Sequence, residues 1–62
     1  MYRSWEFFSH GDRIEIWSRD SFMFTAYVDE CTEDGQVLWA VEERTGARRL
    51  FLRSDYVTLY PA

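Results

Sequence analysis

The side chains able to do nucleophilic or acid–base chemistry are few in this sequence. It holds one histidine, His10, and one cysteine, Cys31. These two could act as base and nucleophile, because an imidazole can take the proton of a thiol. Nothing in the flanking sequence orients either group, so the simpler interpretation is a solvated loop residue for His10 and a packed strand-end residue for Cys31. We therefore predict that the protein is not an enzyme.

The carboxylates also lie where solvent alone explains them. General acid–base catalysis needs such groups paired in a shielded pocket. Those in turns or at outward strand positions are Asp12, Asp29, Glu30, Glu33, Asp34, Glu42 and Glu43. Near Cys31, the carboxylates would supply oxygen ligands and the cysteine a single sulfur ligand. A structural zinc site instead takes about four matched N or S ligands. We predict no metal site and no cofactor.

The basic side chains are all arginine, and four of them cluster around one predicted hairpin: Arg44, Arg48, Arg49 and Arg53. Arg49 and Arg53 flank Phe51 at i±2, which places the three on one face of a strand. Arginine beside an exposed ring is a pattern found in base stacking and in protein hot spots. The alternative is cross-strand pairing with Glu42 and Glu43, which stabilises a sheet by about 0.2–1 kcal/mol per pair.

Aromatic side chains give the strongest indication of a binding surface. Alternation directs Trp17, Tyr27 and Phe51 away from the core, and a small monomer rarely exposes so many rings. Two alternatives stay open. The N-terminal residues 2–8 could cover part of the patch with their own rings, or the patch could close a homodimer, which would stabilise a short chain. The candidate binding residues from these patterns are Trp17, Tyr27, Arg49, Phe51 and Arg53.

These residues belong to a chain whose apolar side chains alternate with a period of two, which is typical of β-strands. The turn signals between strands are Gly11-Asp12, Glu33-Asp34-Gly35 and Thr45-Gly46. The best helix candidate is 4–10, with Trp5 and Phe8 on one face, but it is too short to be stable alone. An extra strand or a draped arm fits that segment equally well. We predict an all-β domain over 11–62 and an N-terminal arm over 1–10.

The apolar face is clearest in the first, second and last predicted strands. Its members are Ile14 and Ile16 in 12–17, Phe22, Phe24, Ala26 and Val28 in 22–30, and Val57 and Leu59 in 57–60. Polar or small side chains occupy most of the alternate positions. One buried and one solvated face is therefore predicted for these strands.

The third and fourth predicted strands are more apolar. Both faces of 36–44 are apolar, since Val37, Trp39 and Val41 alternate with Leu38 and Ala40, so this strand is predicted to be the most central. In 48–53 the leucines at 50 and 52 are predicted to point inward. The arginines at 49 and 53 and the phenylalanine between them are then predicted to point outward.

Five short strands joined by one long loop, two hairpins and a single-turn crossover resemble the layout of SH3-like barrels. Residues 11–16 (Gly-Asp-Arg-Ile-Glu-Ile) are similar to the opening strand of SH3-like, Tudor-like and KOW-type barrels. Residues 54–57 (Ser-Asp-Tyr-Val) resemble the Ser-Asn-Tyr-Val stretch of signalling SH3 domains, in which the tyrosine lines the peptide groove. The resemblance thus implies a five-stranded barrel and adds Tyr56 to the candidate binding residues. Arg53 replaces that family's proline and Trp39 is single rather than tandem, so polyproline binding does not carry over.

Charge and length narrow the class of function. The net charge of −4 opposes binding to a nucleic-acid backbone, which needs clustered positive charge. The sequence has no apolar run of the length, about 18 residues, that predicts a membrane span, and no signal-peptide stretch at its start. A free cysteine without an export signal favours the cytoplasm.

The leading hypothesis is a non-catalytic module that mediates protein–protein interaction through an aromatic and arginine surface. Its partner would be another protein or a second copy of the chain. One alternative is a nucleic-acid-associated barrel of the KOW or Tudor type that uses Arg48, Arg49 and Arg53. A further alternative is a small modulator protein encoded by a mobile element, because short acidic chains can occupy a basic site on a larger enzyme.

Overall fold

The computed structural model describes residues 5–62 and shows an all-β chain. The 3₁₀ helix Trp5–Phe7 precedes five strands: β1 Arg13–Ser18, β2 Ser21–Cys31, β3 Val37–Glu42, β4 Arg48–Leu52 and β5 Val57–Pro61. They form one antiparallel sheet in the order β4-β3-β2-β1-β5. The prediction of five strands and an all-β class is confirmed. Within residues 5–62 the sheet is open, because the edge strands β4 and β5 each pair with one neighbour.

Strand β2 is the middle strand of the sheet, so the prediction that β3 is the most central is wrong. With eleven residues, β2 is the longest strand and pairs with β1 on one side and β3 on the other. A register shift between Val28 and Glu30 marks a bulge, which lets such a strand bend. A central position in the sheet therefore does not explain why β3 carries apolar side chains on both faces.

The hydrophobic core lies on one face of this sheet. Its buried members are Trp5, Phe8, Ile14, Ile16, Ala26, Val28, Leu38, Ala40 and Leu59. Phe24, Cys31, Phe51 and Val57 pack against them while partly exposed. The predicted inward faces of the first, second and last strands are confirmed except at Phe22, which is exposed. The pairing of β1 with β2 shifts register between Ile16 and Trp17, and this shift places Phe22 opposite Trp17.

The N-terminal segment contributes to the core. Trp5 and Phe8 are buried, so these two rings do not cover the outer aromatic side chains, while Phe7 is exposed. Residues 1–4 of the predicted arm lie outside the described part of the chain, and the division into arm and domain stays a prediction. No helix among residues 5–62 has the length and apolarity needed to cross a bilayer.

Gly35 holds this segment against the turn between β2 and β3. A Cβ there would sit 3.0 Å from Glu6 Oε1 and 3.2 Å from the Glu6 backbone nitrogen. Its φ of +70° also lies in the region that side chains disfavour. A side chain at residue 35 would therefore force Glu6 to shift by a few tenths of an ångström.

The face assignment of β4 is the reverse of the prediction. Leu50 and Leu52 are 46% and 42% exposed, whereas Phe51 packs against the core. The pairing with β3 is the physical reason, because Leu38 lies opposite Phe51 and Trp39 opposite Leu50. Leu38 is fully buried. Its cross-strand neighbour Phe51 must share that side, and the two leucines must then lie on the other side.

Candidate functional site

An apolar surface covers the solvent side of β3 and β4. Its members, called the β3–β4 face below, are Val37, Trp39, Leu50 and Leu52. Cross-strand pairing places Val37 opposite Leu52 and Trp39 opposite Leu50, so the four side chains are contiguous. Val37 and Trp39 are half-buried, and Leu50 and Leu52 are exposed. Contiguous exposed apolar side chains of this kind mark contact surfaces more often than isolated ones do.

The backbone of β4 also has groups along this face that point away from β3. The Glu42 N–H donates to the Ala47 carbonyl and the Arg53 N–H donates to the Gln36 carbonyl, both at 2.8 Å. Hydrogen-bonded pairs alternate along an antiparallel ladder, so these two bonds fix which residues of β4 face β3. The β4 residues whose N–H and C=O point away from β3 are then Arg48, Leu50 and Leu52. At Leu52 both groups are bonded within the chain, because its N–H donates to Asp55 Oδ2 and its carbonyl accepts from the Asp55 N–H, both at 2.9 Å.

Arg48 forms the charged rim of the β3–β4 face. Its guanidinium carbon lies 4.1 Å from the centroid of the Trp39 ring. Its Nε donates to Asp29 Oδ2 at 2.8 Å, and Nη2 lies 4.0 Å from Glu30 Oε2. A cation–π contact at an exposed site contributes about 0.5–1 kcal/mol. Arg48 is thus fixed beside the ring, and its charge is compensated by the Asp29 carboxylate.

The predicted binding residues Arg49 and Phe51 lie together on the opposite, core-side face. Arg49 Nη2 is 3.3 Å from Glu42 Oε1, and its guanidinium carbon is 5.0 Å from the Phe24 ring centroid. The rings of Phe24 and Phe51 are 6.1 Å apart. The predicted cross-strand pairing of arginine with Glu42 is therefore present. A cleft of about 540 Å³ opens beside Phe24, Glu42 and Arg49.

Tyr27 is exposed and belongs to a polar cluster on the outer face of the sheet. Arg13 Nε and Nη2 donate to the two Glu43 oxygens at 3.0 and 3.1 Å, and the Tyr27 hydroxyl donates to Oε1 at 2.9 Å. The hydrogen bonds from Arg13 and Tyr27 hold the pKa of Glu43 below its ordinary value. Glu43 thus pairs with an arginine of β1 and not with those of the hairpin.

Trp17 lies at the other end of the outer face, where neighbouring rings enclose it. Its ring contacts Phe22 and Tyr60 edge-on, at centroid distances of 5.7 and 6.0 Å. Its Nε1–H donates to Glu15 Oε1 at 3.1 Å. The apolar surface and the polar atom of this indole are both engaged by the chain itself.

The last two predicted residues, Arg53 and Tyr56, lie near the turn that joins β4 to β5. The guanidinium carbon of Arg53 is 5.6 Å from the Trp5 ring centroid. Tyr56 is 79% exposed, with the Arg19 guanidinium carbon 5.3 Å from its ring centroid. The six candidates therefore do not form one surface, and only Arg49 and Phe51 are brought together.

His10 and Cys31 are each held by a different backbone carbonyl. The His10 Nδ1–H donates to the Asp29 carbonyl at 2.7 Å, and the Cys31 thiol donates to the Trp5 carbonyl at 3.2 Å. Desolvation, followed by the charges of Glu6 and Asp34, raises the pKa of the Cys31 thiol. That environment opposes formation of the reactive thiolate. Within residues 5–62 no three His, Cys, Asp or Glu side chains group closely enough to hold a metal ion.

The β3–β4 face is the part of the surface that the sequence patterns missed. The short turn over 44–47 was a signal from which this face could have been predicted, because pairing the two strands across that turn sets Trp39 opposite Leu50. The remaining choice was which face of β3 is buried, and the bulkier face turned out to be the exposed one. Compared with protein-family models, with curated proteins and with solved structures, this chain matches none.

Proposed function

We propose that this protein is a non-catalytic binding module that holds a protein partner on the β3–β4 face and along the β4 edge. One observation carries the proposal. Leu50 and Leu52 are close to half exposed on an edge strand, and the backbone groups of Leu50 point to the free side of that strand. An apolar centre with a tryptophan and a rim arginine, here Trp39 and Arg48, is the composition of protein interfaces.

The chemistry of the edge favours an extended segment as the partner. Strand addition supplies main-chain hydrogen bonds, and side chains at alternate positions supply specificity. A segment paired with Leu50 would satisfy its N–H and C=O groups, whereas those of Leu52 are already bonded to Asp55. Its own apolar side chains on the outer side would extend the row that Trp39 and Leu50 begin.

An SH3-like barrel architecture is the finer fold assignment that we propose. The strand order supports it, as do the long bent strand β2 and the tight turn in which the Asp55 N–H donates to the Leu52 carbonyl at 2.9 Å. The surface proposed here differs from the groove that the resemblance implies for Tyr56. A cytoplasmic location remains part of the same proposal.

The nucleic-acid alternative receives less support from the arginines. Arg48 is paired with Asp29 and Arg49 with Glu42. Binding to phosphates would have to break or share these ion pairs in a chain whose net charge is −4. The alternative of a modulator from a mobile element is a special case of the protein-binding proposal, with a larger enzyme as the partner.

The test is affinity capture with three forms of the tagged protein: wild type, Leu50→Arg and Tyr56→Ser. Tyr56 is the matched control, because it is also an exposed apolar side chain but lies off the β3–β4 face. Circular dichroism first establishes that all three are folded. We expect a partner that wild type and Tyr56→Ser retain and Leu50→Arg loses. Retention of the same partner by Leu50→Arg would overturn the proposal.

A further inference from the structure

We infer that the strand added to β4 comes from a second copy of this chain, paired antiparallel about a two-fold axis at Leu50. This inference rests on the proposed function, since it names the occupant of the same surface. A two-fold interface brings one patch against itself, so the patch must be self-complementary in hydrogen bonding, charge and shape. Each of these can be checked on β4.

Hydrogen bonding restricts the register. In an antiparallel pair, residues whose backbone groups face the partner must lie opposite one another. On β4 the residues that point to the free edge are at even positions, 48, 50 and 52, so even positions pair with even ones and odd with odd. Asp55 already bonds the N–H and the carbonyl of Leu52, so the main-chain hydrogen bonds open to a second copy centre on Leu50. A two-fold axis then passes through one residue, which lies opposite its own copy.

Charge selects among these registers. An axis at Arg49 sets that arginine against itself, and an axis at Phe51 sets Arg49 opposite Arg53 of the other copy. Like charges directly opposite one another destabilise a sheet. An axis at Leu50 sets no arginine of β4 opposite an arginine. It pairs Arg48 with Leu52, Arg49 with Phe51 and Arg53 with Ala47, and it is the register that pairs all five residues of the strand.

Side-chain packing agrees with the Leu50 register. On the outer side, Trp39 and Leu50 of one copy continue into Leu50 and Trp39 of the other as one apolar row. The stem of Arg48, already stacked on Trp39, would lie beside Leu52 of the second copy and cover it. On the core side, the Phe51 ring would meet the Arg49 guanidinium across the axis, a favourable cation–π pair.

The size of the domain makes such an addition useful. A chain of 62 residues buries roughly 60% of the surface that it exposes when unfolded, which leaves a small margin of stability. A partner that binds only the folded state raises that margin by mass action. A second copy fulfils this role without another gene product.

A disulfide trap tests the register. In a Cys31→Ser background, Leu50→Cys places two thiols across the axis at a Cα separation of about 5.5 Å, within the range that a disulfide spans. We expect a dimer on a non-reducing gel that a reductant dissolves. Arg48→Cys in the same background is the matched control. Its two cysteines would lie about four residues, or ~13 Å, apart along the ribbon and should not cross-link.

Mixing Arg48→Cys with Leu52→Cys should in turn give a cross-linked heterodimer, because these positions face each other in the Leu50 register. Equal cross-linking at positions 48 and 50, or none at 50, would overturn the inference. If Cys31→Ser does not fold, sedimentation of the native-cysteine protein replaces the trap. There we expect wild type to be a dimer and Leu50→Arg to raise the dimer Kd by about tenfold or more.

Failure of this inference is distinguishable from failure of the proposed function. A monomeric wild type whose captured partner is lost on Leu50→Arg overturns the second copy as occupant and leaves the binding surface in place. A monomeric wild type whose capture does not depend on Leu50 overturns both.

Discussion

The two edge strands, β4 and β5, arrange backbone and side chains in opposite ways. On β4, Leu50 points its backbone groups to the free edge and its apolar side chain to the solvent, next to the exposed side chain of Leu52. A strand that pairs there finds hydrogen-bond donors, acceptors and an apolar surface together. This combination is the one that natural proteins usually avoid on an exposed edge unless it is used.

On β5 the same alternation of backbone and side-chain directions leaves an edge that does not favour strand addition. The Ala62 N–H donates to the Arg13 carbonyl at 3.0 Å, so in the ladder with β1 the free-edge residues are Val57, Leu59 and Pro61. Leu59 is buried and Val57 packs against the core, while Pro61 has no N–H to offer. The difference teaches that an open sheet can be receptive at one edge and closed to strand addition at the other.

The largest expected effect is the difference in stability loss between truncating a leucine of β5 and truncating a leucine of β4. Leu59→Ala removes a fully buried side chain and should lower the free energy of unfolding by about 2–5 kcal/mol. Leu50→Ala should cost less than about 1 kcal/mol when the protein is dilute enough to be monomeric. Urea unfolding followed by tryptophan fluorescence measures both. Equal losses at low concentration would mean that the two edges are not different in this way.

A smaller effect concerns the turn beside β3, on which the β4 half of the sheet depends. Gly35→Ala adds both a disfavoured φ and a close approach to Glu6, and should cost about 1–2 kcal/mol or more. Gly46→Ala is the matched control, because its φ of +76° is similar but nothing lies within 4 Å of the added Cβ. Thermal melts should rank Gly35→Ala as the less stable variant, and the reverse order would show that the contact with Glu6 is unimportant.

The polar cluster between the two edges predicts a pH dependence. The pKa of Glu43 is lowered in the folded state from its ordinary value of 4.5. Its ion pair with Arg13 therefore stabilises the fold at pH values above 4.5, and this stabilisation is lost as the pH falls below 4.5 and Glu43 becomes protonated. Wild type should therefore melt at a higher temperature than Glu43→Gln at pH 7. The gap should narrow as the pH drops below 4.5. If the difference in melting temperature stays constant down to about pH 3, ionisation of the Glu43 carboxylate is not its cause.

The smallest expected effect comes from Pro61→Ala, which restores a donor to the β5 edge. We expect a stability change within about 0.5 kcal/mol and no new association when it is combined with Leu50→Arg. Val57 and Leu59 would still point into the core and offer a partner no side chains. Dimers formed through β5 in sedimentation would show that the proline alone closes that edge.

The sequence predicted the strands whose two faces differ and failed where they do not. Ile14 and Ile16 alternate with polar neighbours, so their burial could be predicted from β1 alone. In β4, positions 50, 51 and 52 are all apolar, and the long-range pairing of Phe51 with Leu38 decides which of them is buried. A period-two pattern carries no information on that choice.

The candidate site was missed for the same reason, and the N-terminal segment for another. A 3₁₀ helix of three residues has too little local signal to be predicted, yet it delivers Trp5 to the core. In the turn between β1 and β2, the positive φ of 58° falls on Arg19, a residue type that does not indicate such a conformation. Tertiary contacts, rather than local preference, decide such positions.

The inward-facing side chains of β5 have a consequence for how far assembly can proceed. If both edges accepted strands, each added copy would present a fresh edge, and the chain would grow into an open-ended fibre. With β5 closed because Val57 and Leu59 point into the core, joining two sheets through β4 would consume the receptive edge of each. Growth then stops at a finite particle of ten strands, twice the five of one copy.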